Sequence, residues 1–168
     1  MQLKDIDKQR YSKHFKQLFI GVSVLMLSIA LVVSQLLMLL TNSTGDSNFA
    51  LNVAGAASAA IVAGYLIRRY RHHPWMYELM YVWQLKQALN RIYRKQKAIK
   101  AAMQEGNRDA MVIMNFSYQG SKQLYHLDNN TITMDELNKA ITELSNLLEQ
   151  HQFSIEITDY RPELLDQF

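Results

Sequence analysis

Phe49-Ala-Leu-Asn-Val-Ala-Gly-Ala-Ala-Ser-Ala-Ala-Ile-Val-Ala-Gly-Tyr-Leu-Ile67 decides the fold. It holds no charged residue, and neither does the stretch from Leu18 to Leu40 that precedes it. The first run, at a rise of about 1.5 Å per residue, reaches roughly 34 Å as a helix. A bilayer's hydrocarbon core is about 30 Å thick and needs about 20 apolar residues. The two runs, joined by the polar segment Thr41–Asn48, therefore read as a transmembrane helical hairpin with spans 18–40 and 49–67. In the connecting segment 41–48, Gly45 suits a turn, and Asn42-Ser43-Thr44 is a chance match to a glycosylation pattern.

The second run differs in kind from the first, being rich in alanine and glycine where the first is rich in Leu, Val and Ile. Ala56, Ala60 and Gly64 recur at spacing four, and so do Gly55, Ala59 and Ala63. That spacing puts each set on one helix face, where small side chains let another helix come close. The partner is either the first span or a second copy of the chain; the motif reports close packing and not who provides it. Gln35 and Asn52 fall at similar depth near the loop and are placed to hydrogen-bond across the hairpin, a contact worth on the order of 1 kcal/mol in lipid. Neither span contains Asp, Glu, Lys, Arg or His. Proton relays and ion-coupled transporters need such a group, so that class is set aside.

Orientation follows from the flanks. Lys4, Lys8, Arg10, Lys13 and Lys16 precede the first run, Arg68, Arg69 and Arg71 follow the second, and the loop between carries Asp46 and no basic residue. Lys and Arg stay on the cytoplasmic side, which puts both termini in the cytoplasm and the loop outside. A cleaved signal peptide is the alternative for a basic start before an apolar run. This run exceeds the usual h-region of about 7–15 residues, and small-residue cleavage sites such as Ala54-Gly55-Ala56 lie within the next run.

The rest is polar enough for one small helical domain, 68–168, with residues 1–17 as a basic N-terminal segment. Pro74 can open a helix that runs from Trp75 to about Gln104. Val82, Leu85, Leu89, Ile92, Gln96, Ile99 and Met103 hold heptad spacing for about three heptads, which reads as coiled-coil-like. Gly106 supplies the stop. Asp109–Tyr125 reads as helix, with Asn107 or Asp109 as cap, although Ala110–Met114 alone could be a buried strand. Thr133-Met-Asp-Glu136 has the form of a capping box for a helix carrying Leu137, Ile141, Leu144, Leu148 and His151 on one face. Phe153–Ile157 alternates as a short strand does.

Charge is unevenly spread. Residues 68–108 carry ten Lys/Arg against Glu78 and Glu105; residues 128–168 carry nine acids against Lys139 and Arg161. The two halves are expected to face each other. Arg68, Arg69, Arg71, Lys86, Arg91, Arg94 and Lys95 are candidate contacts for anionic lipid headgroups. Nucleic acid is not expected, since no recognition motif accompanies the basic residues. Cysteine is absent, which removes disulfides, thiolate metal sites and a cysteine nucleophile. No phosphate loop, His-Glu-x-x-His or nucleophile elbow occurs. His72 and His73 are adjacent and so diverge by about 100° on a helix, a poor ligand pair. No cofactor is expected, and no catalytic or metal residue is assigned.

Leu3-Lys-Asp-Ile-Asp-Lys8, Tyr11-Ser-Lys-His14, the two apolar runs, Phe116-Ser-Tyr118, Gly120 and Gln123-Leu-Tyr-His-Leu-Asp128 together resemble an uncharacterised family of small inner-membrane proteins of proteobacteria. The resemblance covers nearly the whole chain. It implies two spans and a bacterial inner membrane and carries no known chemistry. The expected protein is thus an all-α membrane protein that does not act as an enzyme. It anchors in the lipid bilayer and joins either copies of itself or a protein partner on the cytoplasmic side. The other reading is a homo-oligomeric channel lined by the second span.

Overall fold

The computed structural model describes residues 2–41 and 48–168. The predicted turn at Gly45, Asp46 and the Asn42-Ser43-Thr44 pattern lie outside the described residues. Five helices follow one another: α1 (Lys8–Leu40), α2 (Phe49–Tyr70), α3 (Tyr77–Gln104), α4 (Arg108–Leu127) and α5 (Met134–Gln150). Short 3₁₀ turns at Pro74–Met76, Ile157–Asp159 and Pro162–Gln167 complete the fold, and no strand occurs among the described residues. Two helices, α1 and α2, are long and apolar enough to cross a membrane.

The chain divides into two compact units. One comprises Ser12–Leu79 and holds the two apolar helices. Its large side chains Phe19, Leu27, Leu31, Leu39 and Ile61 stand exposed. In water such a surface is unfavourable at roughly 25 cal/mol per Å²; in hydrocarbon it is not.

The other unit joins the residues up to Tyr11 to Met80–Phe168. Residues 1–17, read from sequence as a segment of their own, are divided: Ile6 and Tyr11 sit in the core of this unit and Leu3 packs against it. Lys4 is tied in by its backbone, with its N–H donating to Tyr81 Oη at 2.9 Å and its carbonyl accepting from Gln123 Nε2.

At the centre of this unit is α4, whose Met111, Val112, Ile113, Met114 and Phe116 are all buried. A helix buried on most sides loses the one-sided period that marks a helix in sequence, which is why Ala110–Met114 also reads as a strand. Tyr160 stacks on Phe116 with ring centroids 4.0 Å apart, so the C-terminal segment closes over α4. The heptad positions Val82, Leu85, Ile92, Ile99 and Met103 of α3 are buried in this same core. The coiled-coil-like seam is therefore filled within one chain. Gly120 lets α4 come close to α3, since a methyl there would lie 3.2 Å from Leu85 and Leu89.

Three helix ends share one device. At Gly106 φ is +84°, the Gly106 N–H donates to the Met103 carbonyl, and the Asn107 N–H donates to the Ala102 carbonyl. That pair of bonds satisfies the last carbonyls of α3. Asn129 and Gln152, both at φ +55°, stand in the same place after α4 and α5, and the next N–H reaches back to Tyr125 and Leu148 respectively. Asn107 then caps α4, its side chain accepting from the Ala110 N–H at 3.0 Å.

Two local expectations fail. Thr133 occupies the N-cap of α5, but no capping box forms; its ψ is 7° and Oγ1 is buried without a hydrogen-bond partner. A cap hydroxyl reaches the first turn from the extended region, and this backbone does not supply that geometry. Phe153–Ile157 is not a strand. Phe153, Ile155 and Ile157 alternate inward against the core with Ser154 and Glu156 outward, so the period is real and the pairing partner is missing.

The basic and acidic halves do meet. Lys86 Nζ lies 2.9 Å from Asp128 Oδ2, Arg108 lies 3.2 Å from Asp159, and Lys95 Nζ donates to the Leu165 carbonyl at 2.7 Å. The two ion pairs are solvent-exposed, and exposed pairs contribute little; they set register over a core that does the holding.

Two outcomes are expected. Gln152→Gly relieves a left-handed side-chain residue and should stabilise the protein by about 1 kcal/mol, whereas Gln152→Ala should not; denaturant unfolding in detergent distinguishes them. Burial pushes the Tyr118 and Tyr160 phenols upward, helped at Tyr118 by Glu143 and opposed at Tyr160 by Arg91. An unfolded tyrosine ionises near pH 10, so the folded state keeps these protons longer and loses stability as pH rises beyond about 10. Tyr160→Phe should flatten that alkaline loss, read as the thermal midpoint against pH.

Candidate functional site

The apolar unit is organised by which face of α2 touches α1. Gly55, Ala59 and Ala63 are buried. A methyl added at Gly55 would collide with the Ser34 side chain and lie 2.6 Å from the Ala30 carbonyl oxygen. Ser34, itself buried, stands 3.5 Å from the Leu51 carbonyl. Helix contact in lipid rests on van der Waals packing between close backbones, and Gly55 is where these backbones come closest to forbidding a side chain.

The second small-residue set is placed differently. Ala56, Ala60 and Gly64 are all exposed, and nothing lies within 4 Å of a methyl built at Gly64. Of the two alternatives open in the sequence, α1 takes the Gly55 face and leaves the Gly64 face uncovered. The expected polar pair does not form: Gln35 and Asn52 are exposed, and no hydrogen bond joins them among the described residues. Ser34 occupies the contact instead, one residue from Gln35 and thus about 100° round the helix.

At the other end of the helix pair the side chains grow and the packing opens. A groove of about 440 Å³ is lined by Leu18, Gly21, Val22 and Leu25 of α1, by Ala63, Leu66, Ile67 and Tyr70 of α2, and by Gln17, His73, Trp75 and Met76. Its polar lining residues, Gln17, Tyr70, His73 and Trp75, fall on the side where the two basic clusters of the sequence meet the apolar runs. Close to them in sequence are Lys13, Lys16, Arg68, Arg69 and Arg71, all exposed. Arg71 Nε donates to its neighbour His72 at 2.9 Å. None of the five has an acidic partner among the described residues.

Beside the groove lies a pair that sequence reading missed. His14 Nδ1 is 3.2 Å from Glu78 Oε2, and both residues are buried, at 9 % and 5 % exposure. The His14 ring also packs on Trp75, with centroids 4.8 Å apart. Local sequence builds this: Pro74 opens a 3₁₀ turn, the His73 ring accepts from the Trp75 N–H, and Glu78 falls in the first turn of α3. A carboxylate is favoured at a helix N-terminus, and a buried charge demands a partner. The available signal was that Glu78 is the one acid between Asp46 and Glu105.

The candidate lipid contacts separate into two groups. Arg68, Arg69 and Arg71 belong to the apolar unit and flank the lining residues Ile67, Tyr70 and His73 in sequence. Lys86, Arg91, Arg94 and Lys95 belong to the other unit, where Lys86 pairs with Asp128 and Lys95 binds the Leu165 carbonyl. Among the described residues no three His, Asp or Glu side chains are grouped closely enough to hold a metal ion.

Gly55→Ala should destabilise the purified protein by about 1–3 kcal/mol, the range for overpacking, while Gly64→Ala should change stability by no more than about 0.5 kcal/mol. Thermal unfolding of the two variants side by side in one detergent checks this.

A family model described as "Protein of unknown function (DUF3087)" matches residues 1–165. No curated protein and no solved structure matches the chain.

Proposed function

The chain belongs to this family of unknown function, and from its own geometry we propose that it is a membrane-anchored, non-enzymatic interaction protein that self-associates through the outward face of α2. In this reading α1 and α2 insert as a hairpin into a bacterial inner membrane with both termini in the cytoplasm. The Lys/Arg asymmetry around the apolar runs supports the orientation. The contacts support the hairpin, because they run in opposite order: Gly55 meets Ala30 and Ser34, while Ala63 and Leu66 share the groove with Leu18 and Leu25.

One observation carries the assembly. The two small-residue faces of α2 are unequally used: Gly55, Ala59 and Ala63 are buried, and Ala56, Ala60 and Gly64 are bare. An intramolecular contact accounts for the first set and not for the second. The heptad seam of α3 is spent within its own unit, so self-association is assigned to α2 and not to a coiled coil. The exposed remainder of the unit built on Met80–Phe168 is left for a protein partner in the cytoplasm.

A reporter active only outside the cytoplasm should work when fused at Gly45 and fail after Phe168; activity in the second fusion would overturn the orientation. Ala60→Leu with Gly64→Leu should dissolve the oligomer trapped by cross-linking in membranes while the protein stays membrane-bound, since leucine favours insertion and blocks close approach. An oligomer that survives both substitutions would remove α2 from the interface.

A further inference from the structure

The groove between α1 and α2 is not explained by self-association, because it lies on the face of α2 that α1 already occupies. Its chemistry changes along its length. Leu18 to Leu25 on α1 spans about 10 Å, and this part is walled by aliphatic side chains over the small residues Gly21 and Ala63. One end carries Gln17, Tyr70, His73 and Trp75. Helical spacing places a cation beyond each wall at that same end: Lys13 is one turn before Gln17, and Arg71 is four residues after Ile67.

We propose that this groove binds one acyl chain of an anionic phospholipid, with the headgroup phosphate held at the mouth by Lys13 and Arg71, and with Lys16, Arg68 and Arg69 adding to the field. The inference rests on the reading that α1 and α2 lie in a membrane. Shape and charge select the occupant together. About 440 Å³ falls within the range of small-ligand pockets, roughly 300–1,000 Å³. The ligand must be apolar over the inner part and anionic at the end, and basic pockets between spanning helices take such headgroups. The five cations have no acidic partner among the described residues, and Glu78, the one acid between Asp46 and Glu105 in sequence, is buried against His14. A second copy is the weaker occupant. Self-association is already assigned to the bare face of α2 at Ala56, Ala60 and Gly64, and a second copy does not offer the anionic end that the cations call for, whereas an anionic lipid does.

Trp75 lines the groove and the chain has two tryptophans, so the full chain with exposed Trp83 replaced, Trp83→Phe, reports on the groove alone. The protein is reconstituted in phosphatidylcholine vesicles doped with either acyl-brominated phosphatidylglycerol or acyl-brominated phosphatidylcholine. Bromine on a bound chain quenches Trp75. The brominated phosphatidylglycerol should act as the tighter ligand by about fivefold or more, the effect of one basic side chain near a headgroup. Lys13→Gln with Arg71→Gln should abolish that preference, and Gly21→Leu, which fills the groove, should weaken quenching by both lipids.

Equal quenching by the two lipids in the parent protein would mean unselective surrounding lipid and would overturn the site. So would a Trp75 that neither lipid quenches but that becomes quenchable when protein copies are diluted apart, since a second copy then covers the groove. Vesicle flotation, measured on the same samples, separates the two levels of the argument. A protein that floats but shows no lipid preference refutes this site alone. A protein that does not float refutes both the site and the membrane reading on which it rests.

Discussion

The absence of a side chain at Gly55 is the constraint on which the apolar unit depends. A β-carbon there would collide with Ser34 and lie 2.6 Å from the Ala30 carbonyl oxygen, so α2 can turn this position toward α1 only because it is glycine. That setting turns Ala59 and Ala63 inward with it, at 4 and 8 residues further along the same face. It also turns Ala56, Ala60 and Gly64 away, because adjacent residues diverge by about 100°. Where the small residues give way to Leu18, Leu66 and Ile67, the helices can no longer touch so closely, and the groove opens. Contact, bare face and groove thus follow from one missing methyl group.

The other unit is held by different means. Its centre is an α4 buried along most of its length, closed by the stack of Tyr160 on Phe116. Its helix ends are satisfied locally by three left-handed residues, of which Gly106 alone is a glycine. Gly106 has a second reason to be one: the ring of His151 lies where a β-carbon would project. Charge pairing between the basic and acidic halves is visible at Lys86–Asp128 and Arg108–Asp159, yet both pairs are exposed, and their role is to favour one arrangement of an already apolar core.

What could be read from sequence was what depends on local composition. Two long uncharged runs announce two membrane-length helices, and Gly106 announces the end of α3, because only backbone and side-chain identity matter there. What could not be read was what depends on a partner. The heptad spacing of α3 reports an apolar stripe and is silent on whether α4 of the same chain or another chain fills it. The alternation at Phe153–Ile157 reports which side chains turn inward and is silent on whether a strand lies alongside. The box at Thr133 needs a particular ψ as well as a particular spelling. Gln35 and Asn52 were matched by depth, but the meeting face is set by Gly55, and that face presents Ser34. His14 and Glu78 are 64 residues apart, and only folding brings them within hydrogen-bond reach.

The bare face of α2 constrains the kind of assembly it can make. On the proposed reading copies in one membrane would share one direction, so a contact in which the same face serves both partners would be isologous, with a two-fold axis along the membrane normal. Ala56, Ala60 and Gly64 would then meet their own counterparts, and the contact would close at two copies. A pore needs the other arrangement, in which the Gly64 face packs on a different surface of the next copy and the rotation closes into a ring. That surface would have to accept a flat stripe of small residues. The exposed faces of α1 are dominated by Phe19, Leu27, Leu31 and Leu39, with Gly21 and Ser28 the smaller residues among them, and that bulk keeps backbones apart and forfeits the advantage of a glycine opposite. Small against small is the pairing that this surface can reward, and it favours the closed pair over the ring.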